Sequence, residues 1–88
     1  MDIAGEVKKA KKGNKDSFIN LINYCEASLY RISSAILKKD EECVDAIQEA
    51  ILKAYYSIHK LKEPSYFKTW ITRILINECY KILNNKKK

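Results

Sequence analysis

Apolar residues recur along this chain in steps of three and four, the spacing that buries one side of an α-helix. Phe18, Leu21, Ile22, Cys25, Leu29, Ile32 and Ile36 form one such stripe, which predicts a long second helix opening near Asp16 or Ser17, either a good cap. Lys38 and Lys39 close it, cations well placed at a helix C-terminus. Before it, a short first helix near Ile3–Lys11 is expected to stop at the Gly13-Asn14 pair. After it, Asp40 is the expected cap of a third helix, with Glu41 and Glu42 complementing the dipole in the first turn. The stripe predicted to be buried there is Val44, Ile47, Ile51, Ala54, Tyr55 and Ile58. Beyond His59 the run KLKEPS breaks the pattern. Pro64 suits a first helical turn and disfavours helical geometry at Glu63, so a fourth helix is predicted from about Pro64 to Leu83, with the lysines beyond it fraying.

Helices of this size are marginal alone, so their apolar stripes must pack together. The expected fold is all-α, a compact bundle of three long helices plus a short N-terminal one, in a single domain over residues 1–88. Two glycines and one proline leave little material for the tight turns of a sandwich or barrel. Cys25, Cys43 and Cys79 are odd in number and contain no C-x-x-C pair, so they are expected to pack as reduced small hydrophobes rather than hold a metal or disulfide. The N-terminus is charged with no apolar segment after it, and no apolar run nears the roughly 18 residues of a membrane span. The expectation is a soluble intracellular protein.

Charge adds a second layer. The net charge of +6 is spread as +3 over residues 1–15, −4 over 16–50 and +7 over 51–88. A basic C-terminal part beside an acidic middle suits two partners of opposite charge, although a merely solvated surface fits as well.

The fourth helix has two faces. Phe67, Trp70, Ile71, Ile74, Leu75 and Ile82 occupy one arc, with Phe67 and Trp70 expected in the core. Thr69, Arg73, Asn77, Tyr80 and Asn84 fall within an opposite arc of about 80°. That arc lacks acids and offers hydroxyls, amides, a phenol and a guanidinium, groups that hydrogen-bond and stack on bases. Lys68, Lys81 and Lys86 to Lys88 flank it as candidate phosphate contacts. An ordinary wet face is the competing reading, and the residues alone leave the two level. Glu78 projects into the middle of the apolar arc, which periodicity does not account for.

On the third helix Glu41, Asp45, Gln48, Glu49 and Leu52 share an exposed side; acids and an amide around a leucine suit a basic partner helix, although the residues by themselves favour an ordinary solvated face. Catalysis finds no support. His59 is the only histidine, no nucleophile–base set can be named from spacing, and no Gly-rich phosphate loop is present. No enzyme activity, metal or cofactor is expected.

Three pieces of the sequence resemble region 2 of bacterial sigma factors of the extracytoplasmic-function group. They are Asp45-x-x-Gln48-Glu49, then Lys53-Ala54-Tyr55, then Phe67-x-x-Trp70-Ile71-x-x-Ile74-x-x-Asn77. Upstream, Gly13-Asn14-x-x-x-Phe18-x-x-Leu21 resembles that family's opening segment, so the likeness spans about residues 13–83. The resemblance implies a non-enzymatic transcription initiation factor of the bacterial cytoplasm. Its partners would be RNA polymerase core, through the β′ clamp coiled coil, and the minus-ten promoter element, whose non-template strand is captured unpaired. A controlling anti-sigma protein is a partner the resemblance allows. By position, Asp45, Gln48 and Glu49, with Leu52 beside them, match the polymerase-facing motif, and Arg73 and Asn77 match the promoter-reading helix. The Lys60–Tyr66 connection, with Lys60, Lys62, Ser65 and Tyr66, matches the loop that holds an extruded base. Lys68, Thr69, Tyr80 and Asn84 complete the expected DNA-binding set.

The chain departs from the family pattern too. Lys81 stands where the family often has Asp, Asn84 where it often has Arg, and Ile51 where an aromatic is usual. The family also carries a second helical domain, region 4, so the sequence is expected to be part of a longer sigma factor. The alternative reading is a small basic helical protein that meets acidic partners, membrane surfaces or nucleic acid without promoter specificity.

Overall fold

The computed structural model describes residues 1–86. Four α-helices follow in order: α1 (Ile3–Lys11), α2 (Lys15–Ile36), α3 (Asp40–Ser57) and α4 (Phe67–Lys86). Two single 3-10 turns, Ile58–Lys60 and Pro64–Tyr66, carry the chain from α3 to α4. The bundle measures 41 × 21 × 18 Å. Lys87 and Lys88, two of the expected phosphate contacts, lie outside the described residues.

Local chemistry sets the ends of the helices. Gly13 stops α1 in a left-handed conformation, φ 99°, that side chains with a Cβ avoid. The cap of α2 is Asn14 rather than Asp16 or Ser17: its side chain accepts from the Ser17 amide at 3.0 Å. α3 also starts differently. Lys39 holds the cap position without a side-chain bond, and Asp40 is already helical, its carboxylate taken by the Tyr30 hydroxyl. Lys38 and Lys39 stand past the end of α2, which closes at Ile36 with Leu37 buried behind it. Pro64 opens a 3-10 turn and α4 proper begins at Phe67, continuing to Lys86 rather than ending at Leu83.

Leu21, Cys25 and Leu29 of α2 meet Phe67, Ile71, Leu75 and Cys79 of α4 in the core, and Val7 fixes α1 to it. Each such large side chain contributes about 1.5–3 kcal/mol when fully removed from water. α3 differs in part from its predicted orientation. Ala54 and Ile58 are buried as expected, but the rest of the buried side is Cys43, Ala46 and Ala50, while Val44 and Tyr55 are exposed and Ile47 and Ile51 only half-buried. The buried stripe is thus turned roughly 90° from the predicted one. Alanine carries a weak hydrophobic signal, but it lets two helix backbones approach closely, and α3 lies against α2 and α4 at once. Trp70 packs against the core but is only half-buried, whereas Phe67 is completely enclosed.

Candidate nucleic-acid interface and docking face

Thr69, Arg73, Asn77, Tyr80 and Asn84 are all exposed on α4, a row of about 22 Å along the helix axis. The row borders two recesses. At the start of α4, Thr69 and Arg73 join Leu61, Tyr66 and Trp70 around a recess of about 400 Å³. Tyr66 is 65% exposed there. The indole of Trp70 leans on Phe67, ring centroids 5.9 Å apart and tilted by 49°, so the enclosed ring fixes the half-open one. Further along, Asn77, Tyr80 and Asn84 join Lys53, Ser57, Ile74, Glu78 and Lys81 around a second recess of about 510 Å³.

Glu78 forms the charged centre of that second recess. It is 7% exposed, and its Oε2 lies 2.7 Å from Lys53 Nζ of α3 and 3.2 Å from Lys81 Nζ one turn along α4. Burial by itself pushes the Glu78 carboxyl up, but the hydrogen bonds from the two lysines outweigh it and hold the group below its ordinary value. The residue that periodicity left unexplained is therefore a cross-link between α3 and α4 set within the apolar arc itself. Two of the flanking lysines are correspondingly engaged: Lys81 by Glu78, and Lys86 by Glu42 of α3 at 2.6 Å. Lys68 makes no ion pair among the described residues.

Lys60, Lys62, Ser65 and Lys68 line neither recess, although all are exposed close to the first in sequence. The Ser65 amide and hydroxyl both donate to Glu63 Oε1, at 3.3 and 2.9 Å, so this serine builds the turn that presents Tyr66. Leu61 is the lining residue that sequence reasoning passed over, a lone apolar residue in KLKEPS that lies buried at 5% exposure. Lys53 and Ser57 escape a reading of α4 alone because they reach the second recess from α3.

The acidic side of α3 divides in two. Gln48 and Leu52, the latter 49% exposed, border a shallow apolar depression of about 270 Å³ with Phe18, Ile51 and Tyr55. Asp45 and Glu49 lie beyond it on the side toward Lys81 and Ile82, and Glu41 is exposed. Phe18 and Tyr55 meet edge to face, 5.2 Å between centroids, and Phe18 touches Phe67 at 6.4 Å. A chain of aromatic rings therefore runs from the α3 depression to Trp70 in the first recess.

Cys25, Cys43 and Cys79 are buried and unpaired, and burial pushes the Cys25 and Cys79 thiols up, toward the unreactive form. Among the described residues no three His, Cys, Asp or Glu side chains gather as a metal site, and no helix is long and apolar enough to cross a membrane.

The family model for Sigma-70 region 2 matches residues 21–88. The ECF RNA polymerase sigma factor SigW of Bacillus subtilis is 30% identical over 87 residues, 99% of this chain and 46% of that protein. The RNA polymerase sigma factor SigV of the same organism is 28% identical over 80 residues, 91% of this chain and 48% of that protein. The RNA polymerase sigma-H factor of Pseudomonas aeruginosa is 30% identical over 71 residues, 81% of this chain and 37% of that protein. The chain thus spans about half the length of the curated relatives it matches. No solved structure matches it. The family match takes in α3, α4 and most of α2, and with it the architecture of four helices and no strand among the described residues agrees: the chain belongs to the sigma-70 region 2 family.

Proposed function

We propose that the chain acts as the region 2 module of an RNA polymerase sigma factor, a binding factor rather than an enzyme, at work in the bacterial cytoplasm. In this reading the Asp45, Gln48, Glu49 and Leu52 side of α3 docks on the β′ clamp coiled coil of RNA polymerase. The α4 row reads the minus-ten promoter element, and the first recess holds an unpaired base of the non-template strand. The observation that carries the reading is the convergence of Tyr66, Thr69, Trp70 and Arg73 on one recess. It gathers two aromatic rings, a hydroxyl and a guanidinium, the set that holds an unstacked base by stacking and edge hydrogen bonds. Its volume of about 400 Å³ is within the range of small-molecule sites.

Unpairing DNA costs a few kcal/mol per extruded base, so the module by itself is expected to favour single strands over duplex. The test has two arms. A β′ coiled-coil fragment is titrated against the chain, with Asp45→Lys and Gln48→Ala as variants expected to weaken association. Trp70, the only tryptophan, reports on deoxyoligonucleotides. Its emission is expected to respond more to single strands than to duplex, with strong salt dependence. Absence of β′ association at high micromolar concentration would sink the docking assignment. Equal response to any duplex would make the chain a general basic DNA binder.

A further inference from the structure

α1 precedes the matched family region, which begins at residue 21. It is nevertheless built into the base of the candidate interface. Val7 is fully buried, and α1 packs against both 3-10 turns as well as α2 and α4. Its last residue, Lys11, donates from Nζ to the backbone carbonyl of Leu61, fifty positions away in sequence.

That carbonyl occupies a sensitive place. Leu61 joins the two 3-10 turns, and its side chain lines the recess beside Tyr66, Thr69, Trp70 and Arg73. The connection is otherwise secured by short-range bonds. The Leu61 amide donates to Ile58 at 3.1 Å, the Tyr66 amide to the Glu63 carbonyl at 3.0 Å, and Ser65 to the Glu63 side chain. Leu61 and Ile58 anchor the segment by burial, but local hydrogen bonds alone leave its backbone free to open at lower cost than a helix interior. A bond from an ammonium group is stronger than a neutral one and ties this segment to a different element.

The geometry points to Lys11 as a positioning residue for the nucleic-acid recess. By clamping the Leu61 carbonyl it holds the 61–66 connection against α1 and keeps Tyr66 and Trp70 spaced to take an unpaired base. The role assigned to Lys11 rests on the reading of that recess as a single-strand site; the clamp itself does not. A phosphate contact is the competing role for this lysine, and the two differ in what salt does. A phosphate contact releases counterions and steepens the salt dependence of binding, whereas a positioning residue changes affinity at constant slope.

The test compares the wild-type 88-residue chain with Lys11→Met, which keeps the stem and loses the donor, Lys11→Arg, which restores one, and Lys8→Met. Lys8→Met removes the same charge from α1 without touching the clamp. In the free protein, Lys11→Met is expected to speed hydrogen exchange at the Leu61 and Tyr66 amides by about three- to tenfold relative to α2 core amides. It is also expected to raise acrylamide quenching of Trp70. Lys11→Arg should reverse most of both changes, and Lys8→Met should leave both unchanged. Unaltered exchange and quenching in Lys11→Met would overturn the clamp. For a short oligothymidylate, Lys11→Met is expected to lower affinity several-fold with the slope of log K against log salt unchanged. A slope smaller by about 0.7 would make Lys11 a phosphate contact instead and overturn the positioning role. If the wild type binds no oligothymidylate, it is the single-strand reading that fails, and the clamp is still decided by exchange and quenching.

Discussion

Lys53 on α3 and Glu78 on α4 meet at 2.7 Å across the seam between the two helices, and Lys81 joins the same carboxylate at 3.2 Å. The carboxylate is nearly enclosed, but both ammonium groups keep contact with water, so the lysines can swing out if their partner is removed. Replacing the acid by its amide and by an apolar residue should therefore have different consequences. Glu78→Gln leaves a buried polar group with weakened partners and is expected to cost about 1 kcal/mol. For a domain of this size that lowers the melting temperature by about 4–8 °C. Glu78→Leu, which continues the apolar arc, is expected to fall within about 0.5 kcal/mol of wild type. Thermal melting at neutral pH decides between them.

Acid should act through the same carboxylate. Glu78 is held below its ordinary 4.5 in the folded chain, against its own burial, by Lys53 and Lys81. Glu6 is also lowered, by bonds from Ser17 and then Asn20. A carboxyl of this kind binds fewer protons when folded than when unfolded, so its contribution is present above its unfolded pKa and disappears as pH falls through the folded one. Denaturant midpoints are expected to hold near neutrality and to drop as pH falls through about 4.5, where the unfolded carboxyls are half protonated while the folded ones are still largely ionised. Glu78→Gln should flatten that acid limb. An unchanged limb in the variant would mean that the pair does not couple to folding.

The alanine side of α3 gives a sharper test of packing. Ala50 is fully enclosed where α3 meets its neighbours, so Ala50→Leu is expected to destabilise by about 1–3 kcal/mol through overpacking. Val44→Ser, at a position 42% exposed, should stay within about 0.5 kcal/mol. Urea unfolding of the two variants checks the orientation of the helix. The order of effects would be reversed if Val44, and not Ala50, faced the core.

That helix also shows what periodicity makes legible and what it does not. Phe67, Ile71 and Leu75 are large, share one arc and have a single neighbourhood to fill, so their burial could be read directly from spacing. On α3 the large residues line the half-open side, while the close approach is made by alanines, which a hydrophobicity pattern undervalues. Glu78 was opaque because Lys53 stands 25 positions away and only the folded chain brings them together. The solvent-facing row of α4 was readable one residue at a time. Its division into two recesses was not, because Leu61, Tyr66, Lys53 and Ser57 enter from other elements. Asn14 reads in sequence as part of the stop of the first helix, yet it stands three residues before the amide it caps and so also starts the second.

The two kinds of group in the first recess should separate by how salt affects them. Tyr66 is an exposed ring with no charge, so its contribution to a held base is stacking, worth about 1–3 kcal/mol per base. Tyr66→Ala is accordingly expected to weaken single-strand binding by roughly tenfold or more, with the salt slope unaltered. Arg73 lines the same recess and carries a fixed positive charge. If its guanidinium meets a phosphate, Arg73→Gln should reduce the slope of log K against log salt by about 0.7 for single strands. If it pairs with a base edge, affinity falls while the slope stays, and discrimination among oligonucleotide sequences relaxes. Neither change touches Gln48 or Leu52 on α3, so association with a β′ coiled-coil fragment should be unaffected in both. Fluorescence titrations from low to moderate salt, with Trp70 as the reporter, measure both quantities in one experiment. Loss of β′ association in Tyr66→Ala would show that the two faces are coupled, and the only ring-to-ring path between them runs through Phe18 and Phe67 among the described residues.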